Sequence, residues 1–370
     1  MKIGVFIGRM QPMHNGHLSV IKYMAEQCDA IIIGIGSSNK APSTKNPFTF
    51  LHRKIMVREA IHNTTLASPK RMGNYFEPED KNLVSVEIVP IPDYTYNDQM
   101  WLETTANIVE KSAMAMQRLT LRDPDAPAPE IVLYGHDQGS DTRYLHLFPQ
   151  WKKELLGKSH QFHATDIRLD MFFNQNQDWC SKVPAAVTEE ICKIFNTPNG
   201  KEMFQNLVEE ANLVKKIKED KAKYRYPIID QTVDAVVICN GHILMVTRGV
   251  NPGKGQLALP GGYLNEFEDI RDGIVRELIE ETRIQLKPSL LKNLINEERI
   301  KTFAAPGRSV RGRIITHCGL INYHSNTLPE VKGSDDAAGA HWIPLNKLDP
   351  YANRIFEDHY CIIRNMLGYC

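Results

Sequence analysis

In the first half of the chain, short apolar segments with strand character alternate with segments of helical periodicity. Strands are predicted at 2–7, 30–35, 83–90 and 131–134, and helices at 17–27, 50–61 and 99–117. This alternation is typical of a parallel α/β sheet, because each crossover between parallel strands needs a helix-length connection. Glycines 8, 36 and 135 stand at or directly after the ends of three strands. Ligands of such sheets bind beyond the carboxyl ends of the strands, so these glycines mark a predicted site.

The residue pattern changes after Pro227 from helical to β-rich. Residues 187–223 are predicted to be helical and become highly charged, whereas 232–238 and 242–247 are β-rich runs joined by Asn240-Gly241, a hairpin turn signal. An amphipathic helix is predicted at 270–282. For 370 residues, two domains are expected. We predict domains at 1–183 and 227–370, with 184–226 as a helical closing segment and linker.

Composition narrows the class of protein. Lysine plus arginine and aspartate plus glutamate both number 44, giving a formal net charge of +0, so no global field for binding a nucleic acid is expected. The seven cysteines are scattered, without a CxxC pair, which favours a reducing, cytoplasmic setting over disulfides or a zinc ribbon. The N-terminal apolar run breaks at Gly8, and no run is long enough for a membrane span. A homo-oligomer is left open.

Segment 8–17, which follows the first strand, reads GRMQPMHNGH. His14 and His17 are three residues apart at the start of a helix and therefore share one helical face. A helix N-terminus offers free N–H groups and a favourable dipole to anions, and Arg9 adds a charge, so the segment suits a triphosphate. The alternative is a pair of capping or core histidines, but their position between a strand end and a helix start favours binding.

The same segment resembles the HxGH signature of the nucleotidylyltransferase superfamily. It is most similar to the GRxQPxHxGH stretch of the archaeal-type nicotinamide mononucleotide (NMN) adenylyltransferases, which implies a Rossmann-like domain with helices on both faces of a parallel sheet. Residues 46–49 (NPFT) and 164–168 (ATDIR) also match the family's motifs. His163 stands where the family often has a serine.

The resemblance implies that AMP is transferred from ATP, as a magnesium complex, to NMN. It implies His14, His17 and Arg168 as catalytic residues. The ATP-binding residues that it implies are Gly8, Arg9, Met10, His14, His17, Gly135, Asp137, Thr165 and Arg168; those for NMN are Phe48, Arg53, Asn97 and Trp101. An alternative phosphate acceptor such as phosphopantetheine stays open, although Trp101 and the NPFT stretch favour NMN.

A second motif starts at Gly262. Glu268 follows after five residues, and Arg276-Glu277 after seven more, leading to Glu280 and Glu281. Glutamates at i, i+3 and i+4 share one helix face. Carboxylates this close repel one another unless a cation lies among them, so the spacing predicts a site for a divalent ion. A solvated acidic face is the alternative.

The second motif resembles the Nudix box, G-x₅-E-x₇-R-E-U-x-E-E-x-G-U, with Arg283 in place of the last glycine. This implies an α/β/α sandwich with a mixed sheet that hydrolyses nucleoside diphosphates linked to another moiety. The metal ligands implied, for Mg²⁺ or Mn²⁺, are Glu268, Glu277, Glu280 and Glu281, with Glu277 and Glu281 also catalytic; Arg276 orients a glutamate. The predicted substrate-binding residues are Arg248, Gly261, Gly262, Arg308 and Arg311.

A chain with both motifs resembles the bifunctional NMN adenylyltransferase/ADP-ribose pyrophosphatases of some bacteria. The resemblance implies that the second half cleaves ADP-ribose to AMP and ribose 5-phosphate. Two alternatives stay open: the Nudix half acts on another nucleoside diphosphate derivative, or it binds a metabolite as a sensor or regulator. The intact set of glutamates and the lack of a basic helix-turn-helix pattern argue against the sensor.

Overall fold

The computed structural model describes residues 1–64, 84–121, 126–136, 144–157, 163–295 and 297–369. The chain forms two compact units. The first unit comprises Met1–Asn39, Phe48–Asp93 and Asp98–Met203. The second unit comprises Lys40–Pro47, Tyr94–Asn97 and Phe204–Cys370, so two short segments from the N-terminal part of the sequence belong to it.

The first unit is built on a parallel sheet, as the strand–helix alternation predicts. Within the described ranges the strand order is β3-β2-β1-β4-β5, and every neighbouring pair is parallel. The central strands β1 and β2 are almost wholly buried because helices cover both faces of the sheet. The strands are β1 (Lys2–Gly8), β2 (Ala30–Ile35), β3 (Ser85–Pro90), β4 (Glu130–His136) and β5 (Lys152–Leu156).

The helices between the N-terminus and residue 222 are α1 (Asn15–Gln27), α2 (Phe50–His62), α3 (Asp98–Leu121), α4 (Ala164–Arg168), α5 (Ala185–Asn196) and α6 (Pro198–Ala222), and most of α6 belongs to the second unit. The helix predicted at 187–223 is in fact two helices, α5 and α6. Thr197 is extended between them because a following proline disfavours the helical conformation. In the described part of the chain, no helix combines the length and apolarity that crossing a membrane requires.

The second unit contains a mixed sheet. In the described part of the chain, strands β10-β11-β6-β7-β12 are hydrogen-bonded in that order, and β8 pairs with β7 and β9 with β6. Of these pairs, β6 and β11 are parallel and the others are antiparallel. The predicted hairpin joins β6 to β7, and both turn residues have the positive φ that it requires (Asn240 +44°, Gly241 +72°). The strands are β6 (Asp230–Cys239), β7 (His242–Arg248), β8 (Leu257–Ala258), β9 (Gly261–Tyr263), β10 (Ile300–Phe303), β11 (Ile314–Tyr323) and β12 (Ala337–Pro344).

Helices cover both faces of this sheet, which confirms the predicted α/β/α sandwich. They are α7 (Ile270–Thr282), α8 (Pro288–Leu294) and α9 (His359–Leu367). Ile274 and Leu278 of α7 pack on Val233 in one apolar cluster. Ile362 of α9 packs on Val236 in the cluster on the opposite face. Alternate residues of β6 therefore face different cores, as the two-residue period of a strand requires.

Candidate active sites

The two histidines of the first motif lie together at the start of α1. His14 is the N-cap, and the N–H of Gly16 donates to its Nδ1 over 3.2 Å. The N–H of His14 in turn donates to Nδ1 of His17, also over 3.2 Å. The two rings stack with centroids 3.7 Å apart and planes 27° from parallel. These side chains therefore satisfy helix N–H groups while facing the carboxyl end of β1.

The hydrogen bonds fix which nitrogen of each ring carries the proton. Because Nδ1 of His14 and of His17 accepts a main-chain N–H, the neutral rings carry their protons on Nε2. Burial, followed by the proximity of His14 and His136, lowers the pKa of His17 well below its ordinary value. His17 is thus an uncharged Nε2–H donor at neutral pH, and it lies 3.8 Å from the position a Cβ would take on Gly8.

Arg168, more than 150 residues further along the chain, is brought to the same loop. It is buried, and its Nη1 donates to the carbonyl of Gln11 over 2.7 Å while Nη2 donates to Thr165 Oγ1 over 3.2 Å. Burial, aided by Arg9, lowers its pKa to about 10, so it stays cationic at neutral pH. The structure thus groups Arg168 and Thr165 with the histidine loop.

Arg53 is fully buried and donates only to main-chain carbonyls. Its Nη1 donates to Arg9 O and Gly36 O (2.6 Å each), its Nη2 to Ser37 O (3.1 Å), and its Nε to Thr49 O (3.2 Å). The guanidinium therefore ties the loop after β1 to the loop after β2. The Arg53 side chain therefore positions the main chain of the predicted nucleotide site.

The remaining residues predicted to bind NMN are Phe48, Trp101 and Asn97. Phe48 is buried against Phe195, with ring centroids 5.8 Å apart. Trp101 is partly buried on α3 against Phe148, also at 5.8 Å. Asn97 directly precedes α3, four residues before Trp101, and its N–H donates to Tyr94 O.

Among the predicted ATP contacts, Arg9 is exposed beside the loop, whereas the Met10 side chain is buried with φ at +51°. Gly8 ends β1 and Gly135 lies within β4, where a Cβ would be 2.9 Å from Leu145. Asp137 lies outside the described residues.

Sequence reasoning overlooked two residues of this site. His136 follows Gly135 at the end of β4, next to β1 in the sheet, and its Nδ1 lies 2.8 Å from Gly157 O. Gln11 is buried and exchanges two hydrogen bonds with the main chain of Phe48. Gln11 stands inside the 8–17 motif, so the sequence could have indicated its role. His136 is distant in sequence, and the pairing of β4 with β1 brings it to this site.

In the second unit, α7 carries the glutamates of the second motif on one side. Glu277 and Glu281 are buried, while the side chain of Glu280 is 46% exposed. Asp269 caps the helix by accepting the N–H of Arg271 over 2.9 Å. Core packing of the neighbouring face of α7, through Ile274 and Leu278, holds the three carboxylates on the side that meets β9.

Arg276 holds three of the four glutamates. Its Nε and Nη2 form a bidentate pair with Glu268 (2.7 and 2.9 Å), and its Nη1 donates to Glu277 (2.7 Å) and Glu280 (2.9 Å). Nη2 also donates to Tyr263 O over 3.0 Å. Arg276 thus orients several carboxylates where the sequence predicted one.

Two glycines let the main chain approach these carboxylates. A Cβ on Gly262 would lie 2.5 Å from Glu277 Oε1, and one on Gly261 would lie 2.2 Å from Val233 O. The N–H of Gly261 donates to Glu281 Oε2 over 3.0 Å. A Cβ at position 261 would clash with main-chain atoms and one at position 262 would displace the Glu277 carboxylate, so both glycines position the glutamates.

The carboxylates suit a divalent cation by charge and by donor type. Burial raises the pKa of Glu277, and burial followed by Glu277 raises the pKa of Glu281 to about 8. Four glutamates face one arginine, which leaves negative charge and hard oxygen donors that Mg²⁺ or Mn²⁺ prefers. Within the described ranges no three acidic, histidine or cysteine side chains already form a metal-binding group, and Arg276 is hydrogen-bonded to three of these glutamates.

The arginines predicted to bind the Nudix substrate occupy different environments. Arg248 lies over the Phe356 ring at 4.2 Å, and Arg311 lies over the same ring at 5.8 Å. Arg308, by contrast, is 3% exposed and forms a bidentate pair with Asp358 (2.9 and 2.8 Å). Arg248 and Arg311 are half-buried, with Arg248 donating to Pro252 O over 2.8 Å and Arg311 paired with Glu357 at 3.7 Å, whereas Arg308 is committed to a buried ion pair.

Arg283 ends α7 in the left-handed conformation, with φ at +45°, where the Nudix box has glycine. Its N–H still donates to Ile279 O over 2.8 Å. The helix thus terminates as it would with glycine, at the cost of backbone strain in a residue with a Cβ.

Comparison with known proteins agrees with these two sites. The Cytidylyltransferase-like family matches residues 5–160, and the NUDIX domain family matches residues 230–366. The nicotinamide-nucleotide adenylyltransferase of Thermococcus sibiricus is 30% identical over 224 residues, covering 60% of this chain and 98% of that protein. The enzyme of the same name from Pyrococcus furiosus is 29% identical over 227 residues, 61% of this chain and 99% of that protein.

Two solved structures match the whole chain. The bifunctional NMN adenylyltransferase/ADP ribose pyrophosphatase of Francisella tularensis is 34% identical, with a TM-score of 0.83, covering 100% of this chain and 99% of that chain. The same protein complexed with AMP and Mn ion is 33% identical, with a TM-score of 0.81 over the same coverage. The chain therefore belongs to the family of bifunctional enzymes that join an NMN adenylyltransferase domain to a Nudix hydrolase domain.

Proposed function

We propose that the first unit transfers AMP from ATP to NMN, giving NAD and pyrophosphate. The observation that carries this is the pair of Nε2–H donors of His14 and His17, set at a helix N-terminus beside the buried cation Arg168. The full-length matches to nicotinamide-nucleotide adenylyltransferases support NMN as the acceptor over phosphopantetheine.

In this reaction a 5′-phosphate oxygen of NMN attacks the α-phosphorus of ATP, and the bond from that phosphorus to the bridging oxygen of the β-phosphate breaks. The nucleophile is already an anion, so the protein needs no general base. The protein must align two polyanions and stabilise charge on the departing pyrophosphate. We assign the charge stabilisation to His14, His17 and Arg168, with Arg9 and the α1 N-terminus contacting phosphates.

The matching assay supplies ATP, Mg²⁺ and either NMN or phosphopantetheine to the full-length protein. We expect NAD and pyrophosphate in equal amounts from NMN and no turnover of phosphopantetheine. A protein that adenylylates phosphopantetheine and ignores NMN would contradict the proposal.

For the second unit, we infer hydrolysis of ADP-ribose to AMP and ribose 5-phosphate. The buried glutamates of α7, oriented by Arg276, carry this inference, and the AMP and Mn ion named for the Francisella structure support it. Glu268, Glu277, Glu280 and Glu281 would hold Mg²⁺ or Mn²⁺, which when bound polarises the diphosphate and lowers the pKa of a water. Water then adds to one phosphorus, and the bond to the bridging oxygen breaks. Arg248 and Arg311 supply charge for binding the diphosphate.

Two variants of the full-length protein separate the two activities. Glu281→Gln keeps an oxygen that accepts the N–H of Gly261 but cannot ionise to the carboxylate that a divalent ion needs, so we expect ADP-ribose hydrolysis to fall about a hundredfold or more with NAD synthesis retained. His17→Ala should give the opposite pattern. Wild-type protein that binds ADP-ribose with Mg²⁺ but releases no AMP would favour a sensor, and faster turnover of another nucleoside diphosphate derivative would reassign the substrate.

A further inference from the structure

A segment from the N-terminal part of the sequence belongs to the hydrolase unit. Residues 94–97 precede helix α3, yet they pack on the C-terminal part of the chain. The Tyr96 hydroxyl donates to Asp358 Oδ2 over 2.5 Å, and its ring meets Phe303 edge-on at 4.9 Å. Arg364 lies over the Tyr94 ring at 5.9 Å. Two aromatic residues thus anchor this segment near the start of α9.

Asp358 accepts hydrogen bonds from several donors at this place. It is 2% exposed and is paired with Arg308, which is also almost fully buried. With Tyr96, the two donors supply three hydrogen bonds to the carboxylate. A buried charge that is paired and hydrogen-bonded on several sides is held in one geometry, because each lost bond leaves charge desolvated. Asp358 therefore fixes the main chain where α9 begins.

The next residue, His359, contacts the loop before β9. The N–H of Leu259 donates to His359 Nδ1 over 3.0 Å, and the ring is 6% exposed. Its Nε2 lies 4.0 Å from Asp234 Oδ1, whose Oδ2 accepts the Thr316 hydroxyl over 2.5 Å. The imidazole is thus held between β6 and the loop, and it provides an acceptor for a buried N–H.

The loop leads directly to the hydrolase glutamates. Two residues after Leu259, Gly261 donates its N–H to Glu281. Pro260 O accepts the N–H of Ala235 over 2.9 Å, which holds the loop on β6 from the other side. A shift of residues 259–261 would therefore move a hydrogen-bond partner of Glu281.

We propose that Tyr96 and His359 are positioning residues for the hydrolase reaction, because they hold the 259–261 main chain that orients Glu281. Neither residue needs to touch the substrate. The effect on ADP-ribose rests on the function proposed above for the second unit.

The test uses full-length variants with matched controls. His359→Leu removes the acceptor, whereas His359→Asn offers an amide oxygen close to the position of Nδ1. We expect His359→Leu to lower kcat for ADP-ribose about tenfold with KM changed less than about twofold, since small misplacements of catalytic groups act on turnover. His359→Asn should recover most of that loss. Synthesis of NAD should persist in both variants and shows that they fold.

Tyr96→Phe deletes only the hydroxyl, and Tyr360→Phe is its control. Tyr360 is also buried and donates to a carboxylate, that of Asp349, over 2.8 Å; its hydroxyl also contacts Arg364, but within the described residues it forms no hydrogen bond with Asp358 or His359. We expect kcat to fall about threefold in Tyr96→Phe and to stay near wild type in Tyr360→Phe, with similar thermal midpoints, since each variant loses the hydrogen bond that its tyrosine donates to a carboxylate.

Amide hydrogen exchange of residues 259–261 provides a readout that needs no substrate. We expect exchange to be faster in His359→Leu than in wild type and close to wild type in His359→Asn. Unchanged exchange in His359→Leu, or equal kcat in the two His359 variants, would overturn the positioning role. Absent ADP-ribose hydrolysis in wild type would instead contradict the proposed function, and the exchange result would still decide the positioning role.

Discussion

His14 and His17 stack with their ring centroids 3.7 Å apart, and each ring accepts a main-chain N–H at Nδ1. The helix start therefore sets the tautomer of both rings, with the proton on Nε2. Burial keeps His17 neutral by lowering its pKa. Because His17 stays neutral, the pair avoids the repulsion that two adjacent imidazolium ions would suffer.

His17→Ala should lower kcat for NAD synthesis by about a hundredfold or more, the usual effect of losing one donor to developing charge. Steady-state assays with NMN and ATP measure it. His62, exposed near the end of α2, offers a matched control, and His62→Ala should behave as wild type. Synthesis of NAD near the wild-type rate by the His17 variant would rule out its assigned role.

Arg53→Lys should destabilise the protein by about 2 kcal/mol or more, because an ammonium group cannot reach all four carbonyls and leaves buried acceptors unpaired. Adenylyl transfer should fall as well, since the loops after β1 and β2 lose their tie. Urea unfolding and NAD synthesis test both effects. Arg58 lies on the same helix with its side chain 68% exposed, so Arg58→Lys should change neither the stability nor the rate. Equal effects of the two substitutions would contradict this account.

Gly262→Ala should abolish most of the ADP-ribose hydrolysis. A Cβ at 2.5 Å from Glu277 Oε1 forces the carboxylate or the loop to move. We expect kcat to drop by about a hundredfold, as for a displaced catalytic group. Synthesis of NAD by the same variant serves as the internal control for folding. Retained hydrolysis would show that Glu277 does not need this close approach.

Arg283→Gly should stabilise the protein by about 1 kcal/mol, because glycine adopts the left-handed cap of α7 without strain. Lys287→Gly provides the comparison: Lys287 has an ordinary φ of −66°, so glycine there should only add freedom to the unfolded chain and destabilise. Urea midpoints of the two variants decide the matter. A loss of stability in Arg283→Gly would indicate that the arginine side chain contributes more than its strain costs.

The stability contributed by His359 should depend on pH. Burial lowers its pKa below the ordinary value of 6.5, so between the two values the unfolded chain binds a proton that the folded chain does not. Its contribution is therefore complete above pH 6.5 and is lost as pH falls through the lowered folded value. We expect the excess stability of wild type over His359→Asn to shrink between about pH 7.5 and about pH 5.5. Asp234 and Asp358 are present in both proteins, and a constant difference would contradict the prediction.

Local patterns in the sequence were sufficient for much of the architecture and for both motifs. The parallel sheet, the Asn240-Gly241 hairpin and the bounds of α7 follow from periodicity and turn chemistry, which act over a few residues. The grouping of Glu277, Glu280 and Glu281 follows in the same way from the pitch of one helix. These features need no knowledge of distant partners.

Contacts between distant residues decided the rest. Nothing near Arg308 in the sequence distinguishes an exposed basic turn from the buried partner of Asp358, 50 residues away. Phe48 and Arg53 lie in a motif that predicts ligand contact, yet the packing of two loops buries them. Tyr96 forms a hydrogen bond with Asp358 across 262 residues. Its place in the hydrolase unit therefore depends on contacts that exist only in the folded chain. Sequence alone determined which chemical groups are present and how each helix presents them; only the tertiary structure determined which of those groups are desolvated, paired or left facing solvent.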